Sequence, residues 1–174
     1  MSGRNRILVN PIEVTLQTEG LHRDWVGYGA SILLGVVAAS PWLQGFSYSR
    51  GYDFFLWVYN AWYLHETFSI ASLPNWSPYS ACGQPFFKIA GLSDGMTLAA
   101  LMEIFGVFGG VQAYVCGLYV AAALGFYRLA YSLLGSRLPA WVATMAYVLS
   151  WFLTFTVYFQ AYLSNMFVYA ALPW

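Results

Sequence analysis

The spacing of charge constrains this chain more than any other feature. No charged residue occurs from Trp25 to Ser49, from Ile104 to Tyr127, or from Leu138 to Trp174, gaps of 25, 24 and 37 residues. A helix needs about 20 apolar residues to cross the hydrocarbon core of a bilayer. The first two gaps each hold one such span, and the third holds one span and the start of another. Charged residues are only 8% of the chain, against about a quarter in a soluble domain, so an integral membrane protein is expected. Seven basic residues balanced by seven acidic ones cannot track a phosphate backbone, which removes nucleic acid as a partner. Two cysteines do not make a disulfide scaffold. The expected partner is the lipid bilayer, with Trp and Tyr, part of a 20% aromatic content, at its interfaces.

The expected fold is all-α and polytopic: three transmembrane helices and the start of a fourth, with a long outer loop carrying two interfacial helices. A cytoplasmic tail covers residues 1–24 and a first span 25–46, with Pro41 near its outer end. The outer loop runs over 47–110. Further spans fill 111–174, one at 111–134 after a break at Gly109-Gly110 and one at 139–157. Gln160, Ser164 and Asn165 then interrupt the apolar run, and another segment begins near Met166. Such polar groups need partners in lipid, so residues 140–174 are expected to meet other membrane helices. Arg4, Arg6, Arg23, Arg128 and Arg137 fall on one side of this layout, and Arg50 and Lys88 on the other. The positive-inside rule then makes the N-terminus cytoplasmic and leaves the loop at 47–95 outside.

That loop carries the chemistry. Residues 53–70 read as a helix rich in aromatics, on which Asp53, Trp57, Asn60 and Leu64 share one face, while Glu66 falls with Phe55, Tyr59, Trp62 and Tyr63. The pattern is that of an interfacial helix. Pro74, Pro78 and Pro85 forbid a continuous helix over 73–92, which is expected to be irregular. Asp94 is placed to cap a second helix over 95–105. Within it Glu103 stands among Leu101, Met102, Ile104 and Phe105, where an acid must end at the interface or face a polar pocket. No His/Cys spacing for zinc and no haem ligand pattern occurs.

The order of these pieces is similar to a known family. An apolar span is followed by Gly51-Tyr52-Asp53, an aromatic helix, Leu-Pro-x-Trp-x-Pro-Tyr from Leu73 to Tyr79, and Gly-x-Pro from Gly83 to Pro85. This resembles the N-terminal part of the GT-C superfamily of integral membrane glycosyltransferases and their relatives, over residues 26–174. The resemblance implies transfer of a sugar from a polyprenyl phosphate on the outer face of a cell membrane, expected to be a prokaryotic inner membrane. It implies Asp53 as the catalytic carboxylate and leaves a divalent cation as a candidate cofactor. Many members carry two adjacent acids in this loop, whereas Asp53 is followed by Phe54 and Phe55. Arg50 and Lys88, the cations of the loop, are candidates for the leaving phosphate; Asn60, on the face of Asp53, and Trp76, within the proline motif, complete the substrate-binding set. Members have many more spans than 174 residues provide, so the sequence is read as the N-terminal part of a longer chain. The alternative is a non-catalytic helical subunit of a larger respiratory or photosynthetic membrane complex.

Overall fold

The computed structural model describes residues 24–44, 52–67, 76–77, 84–85, 92–150, 153 and 168–174. Among the described residues four longer helices carry the fold: α1 (Trp25–Leu43), α2 (Tyr52–Thr67), α3 (Leu92–Leu134) and α4 (Arg137–Val148). Two short strands, β1 (Trp76–Ser77) and β2 (Gln84–Pro85), pair antiparallel with Trp76 opposite Pro85 and Ser77 opposite Gln84.

A stripe of small residues decides how α1 packs. Gly27, Ser31, Gly35 and Ala39 recur every fourth position and are all buried. Residues at this spacing lie on one helix face and let two backbones approach closely. A Cβ on Gly35 would stand 2.6 Å from the Val120 Cα, and one on Gly27 would overlap the Tyr127 hydroxyl. Farther along, the Gln112 side-chain amide donates to the Trp42 carbonyl at 3.2 Å. The order of these meetings, 27 with 127, 35 with 120 and 42 with 112, makes α1 antiparallel to the second part of α3. Gln112 also supplies a donor to the carbonyl end of α1, where the last turn lacks intrahelical partners. The opposite face of α1 carries Val26, Leu33 and Val37, all exposed.

α3 is two helical limbs joined at Gly106, whose φ of 72° and ψ of 170° interrupt the helix. That backbone region is essentially restricted to glycine. Beyond it the chain doubles back tightly enough that a Cβ on Gly110 would lie 2.7 Å from the backbone of Met102. Limb 92–105 therefore packs on the start of limb 107–134, and Leu98, Met102, Val111 and Val115 join one core with Leu34 and Trp42. The break expected at Gly109-Gly110 lies instead at Gly106. Gly109 and Gly110 are helical, and Gly110 is needed for close approach rather than for a turn.

Gly135, with φ of 67°, reverses the chain into α4. The Phe126 and Tyr147 rings stack with centroids 4.2 Å apart. Tyr127, Ala130 and Ala140 form a second cluster with Tyr28 and Trp141 against it. α4 is 12 residues long and stops at Val148, whereas a continuous span over 139–157 was expected. At about 1.5 Å per residue it covers roughly 18 Å. The turn at 168–174 returns to the bundle: the Trp174 indole donates to the Ala121 carbonyl at 3.3 Å, and the Tyr147 hydroxyl to the Tyr169 carbonyl at 2.8 Å. Tyr147 thus meets Tyr169 and α3, and Trp174 meets α3, all within this same chain, while Gln160, Ser164 and Asn165 lie outside the described residues.

Three further expectations change. The first helix ends at Leu43 rather than at 46. α3 begins at Leu92, so Asp94 sits in its first turn instead of preceding it. The segment 73–92 contains the β1–β2 ladder where irregular chain was expected. Ser77 and Gln84 each precede a proline, and that position is driven from the α region into extended backbone. The two residues of β1 and the two of β2 then pair.

Candidate functional site

The two ends of the bundle carry different polar groups. At one end Asp24 is the N-cap of α1, accepting from the Gly27 N–H at 3.1 Å. Its second oxygen accepts from the Tyr127 hydroxyl at 2.5 Å, and Arg137 Nε stands 3.2 Å from the first. Neither Asp24 nor Tyr127 has an exposed side chain. Burial pushes the Asp24 carboxyl up, but the Tyr127 and Gly27 hydrogen bonds and the Arg137 charge together outweigh it and hold the group below its ordinary value. One carboxylate thereby joins the start of α1, the far end of α3 and the start of α4. Three donors from within the fold engage its two oxygens, so this cluster clasps the three helices together.

The other end holds an open pocket of about 340 Å³ between α2 and limb 92–105. Leu64, Met96, Ala99 and Ala100 supply apolar walls, and His65 and Glu103 the polar groups. Tyr63 and Leu64 pack with Tyr59 and Ala99, fixing α2 against the limb. His65 Nε2 lies 3.1 Å from a Glu103 carboxylate oxygen, a bond between the two elements. Its Nδ1 lies 3.9 Å from Glu66, beyond hydrogen-bond reach, and is buried with no hydrogen-bond partner. Glu103 stands at the mouth of this largely apolar pocket, its side chain 76% exposed and paired with His65.

The residues singled out from sequence are placed as follows. Asp53 is the second residue of α2, in the first turn after the α1 helix and its connection. Asn60, seven residues on, is buried at 4% exposure. About two helical turns separate them on one face. Trp76 opens β1 opposite Pro85. The side chains of Asp53 and Trp76, and all of Arg50 and Lys88, lie outside the described residues. Tyr63, expected on the face of Glu66, is 9% exposed and packs beside Leu64. Among the described residues no group of three His, Cys, Asp or Glu side chains is arranged to hold a metal ion, so the candidate divalent cation finds no site there.

The fold defines a helical protein with two helical segments long and apolar enough to cross a membrane, Trp25–Leu43 and Gly95–Leu134, the second bent back at Gly106. Only 33% of the first apolar window and 44% of the second are buried in the protein, which leaves most of that surface for lipid contact. No family model, curated protein or solved structure matches the chain.

Proposed function

We propose that this chain is the N-terminal region of a GT-C-like membrane glycosyltransferase that takes a sugar from a polyprenyl phosphate on the outer face of a prokaryotic inner membrane. The observation that carries the reading is the position of Asp53 in the first turn of α2, the helix that follows the first membrane-length helix. An acid at that position stands at the edge of the bilayer, where a lipid-borne donor and a water-borne acceptor meet. It also sits at a helix N-terminus, where the backbone dipole favours a carboxylate.

The chemistry asked of it is general base catalysis. The acceptor oxygen bonds to the anomeric carbon as the bond from that carbon to the phosphate oxygen breaks. The acceptor proton passes to the Asp53 carboxylate, and polyprenyl phosphate leaves with the electron pair. Arg50 and Lys88 serve the leaving phosphate, and Asn60 and Trp76 hold the sugar or the acceptor. In this reading the N-terminus is cytoplasmic, the 47–95 loop is outside, and the polytopic layout has three or more spans.

The test is sugar transfer by membranes carrying the full-length protein, comparing wild type with Asp53→Asn and Trp151→Ala. Loss of a general base costs about 10²–10⁴-fold in rate. The reading expects that loss for Asp53→Asn at unchanged protein level. Unchanged transfer by Asp53→Asn, with assembly of a host complex lowered by Trp151→Ala, supports the non-catalytic subunit instead.

A further inference from the structure

The pocket between α2 and limb 92–105 has no part in the glycosyl transfer proposed above. His65 is twelve residues beyond Asp53 on α2, roughly 18 Å along the axis. It is too far away to share a reacting centre, and the inference stands whether or not Asp53 is catalytic. We propose that this pocket binds a primary ammonium group carried on a short apolar chain.

Three observations lead there. First, the size and lining fit a small amphiphile: about 340 Å³, with four apolar side chains and one carboxylate–imidazole pair among the described residues. Pockets of roughly 300–1,000 Å³ with apolar walls and a few polar groups are the usual form of small-molecule sites. Second, the polar groups present hydrogen-bond acceptors. The imidazole holds one Glu103 oxygen by its Nε2, while the Glu103 side chain stays 76% exposed and open to a ligand. An ammonium group brings three donors and no acceptor. Third, the charge is one-sided. Two carboxylates, Glu66 and Glu103, flank a single imidazole, that of His65. Among the described residues the basic side chains are Arg128 and Arg137. Arg128 lies about 30 Å along limb 107–134 from Gly106, well beyond the screening length of about 8 Å in physiological salt. Against these two carboxylates a phosphate or carboxylate headgroup would meet repulsion, and an uncharged alcohol would forgo the attraction.

The position suits an amphiphile. Gln112 meets the last carbonyls of α1, and Gly106 lies six residues, about 9 Å, from it toward the end of the bundle. The doubled-back limb therefore holds Glu103 near the end of a membrane-length helix, at headgroup depth for a chain that spans a bilayer. The ammonium source is either an ethanolamine-type lipid headgroup or a free alkylamine.

Titration calorimetry on the full-length protein in nanodiscs of phosphatidylcholine, with octylamine as the probe and octanol and octyl phosphate as controls, tests the assignment. Wild type is expected to show saturable octylamine binding that weakens with salt. Glu103→Gln keeps the shape and removes the charge, and should weaken binding about tenfold or more, the worth of a hydrogen bond to a charged acceptor. Ala100→Leu narrows the pocket with Glu103 intact and should weaken it as well, so the test survives if one variant fails to fold. Competition by added phosphatidylethanolamine identifies the lipid as the source; its absence identifies a free amine. Equal octylamine binding by wild type and both folded variants, or equal binding of octyl phosphate, overturns the proposal.

Discussion

Removing the Asp24 carboxylate should destabilise the bundle in a way that depends on Tyr127. In Tyr127→Phe the lost hydroxyl takes with it one hydrogen bond to a charged acceptor, worth about 1.5–3 kcal/mol. In Asp24→Ala the N-cap is lost, which costs about 1 kcal/mol. The Tyr127 hydroxyl also becomes a buried donor without its acceptor, which costs a further ~1–3 kcal/mol. Arg137 is 62% exposed, so its share of the ion pair adds at most ~1 kcal/mol. The single changes therefore sum to more than the double change, because in the double variant no hydroxyl is stranded. A coupling of about 1–3 kcal/mol is expected from the cycle. The assay is reversible unfolding of the full chain in mixed micelles with rising dodecyl sulfate, followed by circular dichroism. Additivity within about 0.5 kcal/mol would refute the clasp. The sign of the pH effect also follows. The folded carboxyl lies below the ordinary value of 3.8, so its stabilisation is fully present above that pH and is lost as pH falls below it and through the lower value of the folded group. Asp24→Asn should flatten this acid-side loss.

Two glycine substitutions separate backbone conformation from packing. Gly106→Ala meets no atom within 4 Å of the new Cβ, so its expected cost of about 1–3 kcal/mol is wholly conformational, and unfolding should shift while the α1–α3 contact survives. Gly35→Val drives a side chain into the backbone of Val120 and should cost more than Gly29→Val, whose Cβ meets nothing; equal unfolding midpoints would contradict the close crossing.

Charge spacing located the long apolar helices because lipid tolerates few ionised groups, and that constraint is local and one-dimensional. The small stripe Gly27-Ser31-Gly35-Ala39 was equally visible and would have named the packed face of α1. The choice among Gly106, Gly109 and Gly110 was not visible. All three can adopt positive φ, and the one that turns is fixed by where Met102 must pack. The ladder at Trp76–Ser77 was legible through the two residues that precede prolines, a signal weaker than the prolines' veto on helix. At the candidate site, Glu103 in its apolar run signalled a polar neighbour, but nothing local identifies His65, 38 positions earlier, as that neighbour. The pairing arises only when Gly106 folds limb 92–105 back beside α2.

All of these readings rest on a chain that crosses the bilayer with α2 and the Asp24 clasp on opposite sides. In a background with Cys82 and Cys116 replaced by Ala, single cysteines at Thr67 and Ser136, both exposed, can be probed on intact spheroplasts with a membrane-impermeant maleimide. Labelling of position 67 from outside, and of position 136 only after permeabilisation, is the expected result. Labelling of both positions from the same side would contradict the membrane-crossing arrangement, and with it the outer-face site.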